Sequence, residues 1–272
     1  MNDAIAAEVL AVDALSPSIV RMRLAAPDFV SLDVPDEACV VTFPAPGERT
    51  ADPDPSGGHW YTVRRVEPAG LTMDVVVHEV GAASEWARRG RPGDRLQLSA
   101  QGSWYRRPDD VGWQLLVVDT TGLPAAGRIV EDCPAGIRTL VVAEVPDPAD
   151  GQDLRGAEVT WVHNPGVAHG DSQLERAARA VALPDGPGYV YVAGEAAATR
   201  RVRRYLRHEL SLPATSYGVI GYWRRDAKAF AERVAQASID PQAVWEEAEA
   251  VATDPEHAMD LWEERMGRAG LL

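Results

Sequence analysis

His59-Trp60-Tyr61-Thr62-Val63-Arg64 sets two aromatics, a hydroxyl and a fixed cation along a short β-prone run. Side chains alternate faces along a strand, so Trp60, Thr62 and Arg64 are expected on one face and Tyr61 and Val63 on the other. The edge of such a strand offers backbone N–H and C=O groups to a heterocycle, and a tyrosine beside it can stack on the ring. Read alone, the same six residues are better taken as an ordinary aromatic, β-branched sheet strand. The neighbouring segments decide between the two.

Upstream, Ile5–Val12 and Ile19–Leu24 flank Ser16-Pro17-Ser18, and Val20, Met22 and Leu24 alternate with Arg21 and Arg23 as in a half-buried strand. Val40–Phe43 and Trp60–Val66 are further strands, separated by a loop from Pro44 to Gly58 crowded with Pro, Gly and Asp. Leu71–His78 puts Leu71, Met73, Val75 and Val77 on one face and Thr72, Asp74, Val76 and His78 on the other. Arg95–Ser99 follows the turn Arg91-Pro92-Gly93-Asp94. Six short strands within about 100 residues predict a small antiparallel β-barrel.

After residues 103–112 the texture changes. Leu115-Leu116-Val117-Val118, Thr139–Val145, Val159–Val162 and Gly188–Ala193 are continuous apolar runs, and Gly122–Glu131, Gln173–Leu183 and Ala196–Leu210 read as helices between and after them. Apolar strands alternating with helices predict a parallel sheet covered on both faces. In the tail, Asp240-Pro241 and Asp254-Pro255 each supply an N-cap and a proline at the first helical position, so two amphipathic helices are expected there. The expected division is a barrel domain over 1–106, an α/β domain over 107–226 and a helical extension over 227–272, the last a candidate homo-oligomer contact.

Composition narrows the function. With 27 basic against 41 acidic residues in 272, the formal charge of -14 argues against nucleic acid or an anionic membrane surface as partner. Cys39 and Cys133 are the two cysteines and have neither CxxC nor Cys/His spacing, so no disulfide framework or metal site is expected. No leader is evident at Met1-Asn2-Asp3-Ala4-Ile5, and no run reaches the roughly 18 apolar residues of a membrane span. A cytoplasmic protein is the expectation.

Three more stretches bear on chemistry. Gly81-Ala82-Ala83-Ser84 precedes a short helix over Glu85–Arg89, where phosphate could sit or Ser84 could simply cap. Gly194-Glu195-Ala196 ends an apolar strand and opens a helix carrying Arg200, Arg201, Arg203, Arg204 and Arg207, which could hold a dinucleotide phosphate or form a solvated basic face. Gly221-Tyr222-Trp223-Arg224 closes the last strand. GxSxG, HExxH, GxxxxGK[ST] and GxGxxG are all absent, and His78, His163 and His169 are scattered. A barrel and a parallel sheet without acid–base apparatus suit an enzyme whose chemistry belongs to a bound flavin.

In order and spacing, Tyr61-Thr62-Val63-Arg64, Val77-His78, Gly81-Ala82-Ala83-Ser84-Glu85-Trp86-Ala87, Arg91-Pro92-Gly93-Asp94, Asp119-Thr120-Thr121-Gly122-Leu123-Pro124-Ala125, Ala193-Gly194-Glu195-Ala196 and Gly221-Tyr222-Trp223-Arg224 resemble the siderophore-interacting protein family. The resemblance, over about residues 5–226, implies a ferredoxin-reductase-like fold in which NADPH or NADH reduces FAD and FAD reduces a ferric siderophore, releasing Fe(II). It implies Tyr61 against the isoalloxazine, Thr62 and Val63 at its polar edge, and Arg64 holding the flavin side. His78 would lie near the ribityl and adenosine portion, Ala83 and Ser84 at the pyrophosphate, and Thr121 and Pro124 near the adenine. Gly194, Glu195, Tyr222, Trp223 and Arg224 would surround the pyridine nucleotide. No catalytic side chain and no metal ligand is expected. His59 stands where the family motif RxYTxR begins with arginine, and Thr120 replaces an acidic residue. These departures imply an alternative, a relative with weak or lost FAD binding that uses the cleft for a non-redox role.

Overall fold

In the computed structural model, described over residues 4–52, 58–68, 70–77, 82–167, 172–237 and 239–272, the first half of the chain closes into a six-stranded antiparallel barrel. Its strands are β1 (Ile5–Ser16), β2 (Ile19–Ala25), β3 (Ala38–Thr42), β4 (His59–Glu67), β5 (Gly70–Val76) and β6 (Arg95–Gly102), hydrogen-bonded in the order β1-β2-β5-β4-β3-β6. Alternate residues of these strands, among them Val9, Met22, Leu24, Val41, Met73 and Leu96, fill the interior. Trp86 from the short helix α1 (Ala82–Ala87) packs fully buried against them. The outer face of β5 is also covered: Asp74 is buried and takes two hydrogen bonds of 2.7 Å from Arg21, its partner across the β2–β5 ladder. Opposite charges in register stabilise a sheet where like charges would break it.

The second half is a five-stranded parallel sheet, β7 (Trp113–Asp119), β8 (Arg138–Val145), β9 (Ala157–His163), β10 (Gly188–Glu195) and β11 (Tyr217–Trp223), in the order β11-β10-β7-β8-β9. Every residue of the central strand β7 is buried, the expected result of helices on both faces. Those helices are α2 (Leu123–Glu131), α3 (Leu174–Arg179) and α4 (Ala196–Arg204). Two of them differ from expectation. The helix read over Gln173–Leu183 ends at Arg179, short of the Leu183-Pro184 step that disfavours helical backbone. The one read over Ala196–Leu210 keeps α geometry to Arg204 and continues as a π turn over Tyr205–Glu209.

Buried carboxylates join the two halves. Asp150, in the turn after β8, accepts from the Ser16 hydroxyl at 2.5 Å and from the Ser18 amide and hydroxyl at 2.9 Å each. Asp36, ahead of β3, accepts from the backbone of Trp104 and Tyr105 and from Ser103 Oγ as the chain crosses between domains. From α2, Arg128 donates to the Val63 carbonyl at 2.8 Å and lies 3.3 Å from the buried Glu37 carboxylate.

The tail forms three helices where two were expected: α5 (Ala227–Ala237), α6 (Pro241–Val251) and α7 (Pro255–Arg268). Asp240 and Asp254 cap the latter two as their sequence predicts, accepting from the amides of Gln242 and His257. No aspartate–proline start announces α5, which buries none of its residues fully. The acidic face of α7 lies on α4 and the π turn after it, where Arg203 bonds Glu256 and Asp260 and Arg207 bonds Asp260. Arg201 in turn sits 3.5 Å from Glu175. Much of the basic face that was a candidate dinucleotide-phosphate site is therefore committed within the chain. Among the described residues no helix is long and apolar enough to cross a membrane.

Candidate functional site

The barrel is zipped unevenly. β4 pairs with β5 only from Val63 onward, with a register break between Val63 and Arg65, while His59–Thr62 pair with β3 alone. His59–Thr62 therefore leave the β5 ladder beside Asp74 and Val76, and this opening meets the carboxyl edge of the parallel sheet. The resulting cleft encloses about 1100 Å³ of empty space, its open mouth included. Its barrel wall is His59, Trp60, Tyr61, Thr62, Asp74 and Val76, with Ala83 and Ser84 of α1 at one end. Thr121, Pro124, Tyr222, Trp223, Arg224 and Ala227 form the opposite wall. Ligands of parallel α/β sheets bind at this carboxyl edge.

Aromatic rings carry both walls. Tyr61 packs edge-on against Phe43 with centroids 5.5 Å apart, and Trp60, Trp104 and Tyr222 form an edge-to-face series at 5.3 and 6.1 Å that crosses from barrel to sheet. Tyr222 Oη lies 3.1 Å from Tyr191 Oη. Burial pushes the Tyr222 phenol up to about 12 and raises Tyr61 as well, so both rings stay protonated near neutrality. They offer apolar faces and neutral hydroxyls, which suit a stacked heterocycle and not proton transfer.

Behind the sheet wall lies Asp119, the last residue of β7 and buried. Oδ1 accepts from Thr121 N at 2.8 Å and Thr121 Oγ1 at 2.6 Å; Oδ2 accepts from Glu195 N at 2.8 Å and Trp223 Nε1 at 2.9 Å. Burial raises its pKa, against the smaller pull of these donors; the donor geometry, with a backbone or indole N–H on each oxygen, suits a carboxylate that only accepts. Gly194 is required beside it, because a Cβ there would stand 2.6 Å from Oδ2.

The structure brings together Tyr61, Thr62, Ala83, Ser84, Thr121, Pro124, Tyr222, Trp223 and Arg224. It does not bring Val63, Arg64, Gly194 or Glu195 to the cleft surface. Val63 is barrel core. Arg64 is buried, turned toward α2, and donates to both oxygens of Glu131 at 2.8 and 2.5 Å, with Gly127 leaving room for its guanidinium. Gly194 backs onto Asp119, and Glu195 caps α4 by accepting from the amides of Ala197 and Ala198. Ser84 lies within α1, which starts at Ala82, and so is not the N-cap of a helix over Glu85–Arg89. His78 and His169 fall outside the described residues. Asp74, Val76 and Ala227 line the cleft but were not foreseen as site residues, and neither was Asp119. For Asp119 a sign was available, since an acid directly after the apolar run Leu115–Val118 must find donors when buried.

A flavin ring fits this cleft: it needs flat apolar walls and a strand edge, and β4 supplies the edge where its β5 ladder stops. Among the described lining residues the basic side chains are His59 and Arg224. Arg224 is stacked on Phe230 at 4.0 Å and lies 3.8 Å from Asp226.

The siderophore-interacting FAD-binding domain matches residues 8–104, and the siderophore-interacting protein domain matches residues 111–226. A crystal structure of a siderophore utilization protein from T. fusca superposes with a TM-score of 0.72 at 31% identity, covering 82% of this chain and 93% of that one. Ferric vibriobactin reductase ViuB of Vibrio cholerae is 29% identical over 61% of this chain and 64% of its own length. An NADPH-dependent ferric-chelate reductase of Escherichia coli is 26% identical over 51% of this chain and 55% of its own. The matched region thus spans under two thirds of either reductase. A six-stranded barrel with an FAD-binding match, joined to a parallel sheet with a siderophore-interacting match, places this chain in the siderophore-interacting protein family.

Proposed function

We propose that this protein is an FAD-dependent oxidoreductase that passes electrons from NADPH or NADH to a ferric siderophore, from which iron leaves as Fe(II). The cleft between the unzipped edge of β4 and the carboxyl edge of the sheet carries this reading, because it offers stacking walls and, among the described lining residues, no hydrogen-bonded acid–base pair, Asp74 being held by Arg21. Bound FAD would supply the redox chemistry, accepting a hydride and giving up single electrons.

Tyr61 would press one ring face, Thr62 and the β4 backbone would bond the polar edge, and Ala83 with Ser84 would lie along the diphosphate. Tyr222, Trp223 and Arg224 would form the pyridine-nucleotide side. The aromatic walls would shield from water the ring faces they cover. The names of the Vibrio and Escherichia reductases support a ferric chelate as acceptor and NADPH as donor. The test is to titrate the purified protein with FAD and then follow NAD(P)H-dependent Fe(II) release into a ferrous chelator. Saturable flavin binding and ferrous iron are expected; a protein with neither refutes the reading.

A second reading keeps the cleft for a non-redox ligand. Its motivation is specific: His59 replaces the family arginine and Arg64 is held by Glu131, so few cations face the diphosphate. FAD affinity in His59→Arg separates the two.

A further inference from the structure

Three separate chain segments converge on one carboxylate. Asp119 ends β7, Glu195 ends β10 and Trp223 ends β11, and the side chain of the first holds the backbone of the second and the indole of the third. Trp223 also lines the cleft. Its ring is thus tied from behind by a charge-assisted hydrogen bond of 2.9 Å to a buried acceptor. The acceptor cannot shift to follow it: Thr121 holds the other oxygen twice, and the missing Cβ of Gly194 leaves only room enough for the carboxylate.

We propose that Asp119 is a positioning residue that pins the Trp223 indole as a fixed wall of the cofactor cleft, so that the ring bound there meets a surface of set orientation instead of a swinging aromatic. The inference rests on the cofactor reading above. Chemistry fixes why the residue must be an acid. All four neighbouring groups donate, so an amide in its place sets its NH₂ against at least one N–H that cannot accept.

The test uses full-length ¹⁵N-labelled protein and three variants, Trp223→Phe, Asp119→Asn and Asp119→Ala. Trp223→Phe keeps an aromatic plate, removes the N–H, and identifies the Trp223 indole cross-peak by its loss. In wild-type protein that peak should lie downfield and exchange slowly with deuterium. In Asp119→Asn it should move upfield and exchange at least about tenfold faster, as expected when a charged acceptor becomes neutral. The peak of Trp86, buried in the barrel, should not move and serves as the folding control. Because Trp223 lines the same cleft as Tyr61 and Thr62, its plate borders the flavin as well as the nucleotide, and FAD titration by flavin fluorescence should show Kd raised by about tenfold in both Trp223→Phe and Asp119→Asn, with no further rise in the double variant, since both remove one interaction. KM for the nucleotide should rise more than kcat falls.

An indole resonance unchanged in Asp119→Asn and Asp119→Ala overturns the pinning. Movement of the resonance with FAD affinity and KM held within twofold overturns the role of the pinned ring. Wild-type protein that binds no FAD overturns the cofactor reading and this role with it, while the resonance still decides whether Asp119 holds the indole. If Asp119→Ala does not fold, Asp119→Asn and Trp223→Phe decide.

Discussion

Replacing Arg203 with methionine tests what fastens the tail to the α/β domain. Its guanidinium, on a side chain 3% exposed, lies 2.7 Å from Glu256, 2.8 Å from Asp260 and 3.4 Å from Glu263, all on α7. It also donates to the Glu256 carbonyl at 2.7 Å. Removing one partner of a buried ion pair costs roughly 3–5 kcal/mol, because the charges left behind stay desolvated. Here the three carboxylates keep 15–23% exposure and Asp260 keeps Arg207, which reduces the penalty. A loss of about 2–3 kcal/mol of local stability follows, equivalent to roughly 30–150-fold in an opening equilibrium. Methionine keeps much of the aliphatic stem, so the effect reports the charge. The assay is native-state hydrogen exchange of the α7 amides, with the β7 amides as reference. Exchange should accelerate by that factor in α7 and stay unchanged in β7. Acceleration below about fivefold would show that the tail's own apolar cluster around Val244, Trp262 and Met266, and not Arg203, protects α7.

His59→Arg restores a fixed cation at the cleft; a charged hydrogen bond is worth about 1.5–3 kcal/mol, and the exposed position argues for the low end, so FAD Kd should fall by about tenfold in a fluorescence titration. Glu131→Gln probes the link between β4 and α2. The hydrogen bonds from Arg64 lower the Glu131 pKa, so its stabilisation is present above the unfolded value of 4.5 and is lost as pH falls through the folded value. The stability gap between wild type and Glu131→Gln in urea should therefore be widest near pH 7 and narrow progressively as pH falls below 4.5; a gap that does not narrow refutes the pairing. Gly194→Ala forces a Cβ to within 2.6 Å of the Asp119 carboxylate, and a thermal melt should register a loss of about 1–3 kcal/mol.

Much of the fold was legible in the residues. Alternation at Val20–Leu24, turn chemistry at Arg91–Asp94 and the apolar run at Leu115–Val118 marked a barrel followed by a parallel sheet, because strand period and two-sided burial leave direct traces in composition. Asp240-Pro241 and Asp254-Pro255 marked two helix starts for an equally local reason. The motif series also located much of the cleft surface, nine of whose lining residues had been named from sequence as site candidates.

What the chain alone did not disclose depends on partners distant in sequence. Arg64 reads as a flavin contact in its motif, yet a carboxylate 67 positions away draws it to α2. The arginines of α4 read as a phosphate site until α7, some 53 positions later, supplies their counter-charges. Asp119 reads in the sequence as an acid in need of donors, and only the convergence of three strand ends supplies them and makes it an anchor. Local periodicity and propensity determine which elements form; which charged group finds which partner is decided by packing, since a pair formed across more than fifty residues leaves no spacing to read.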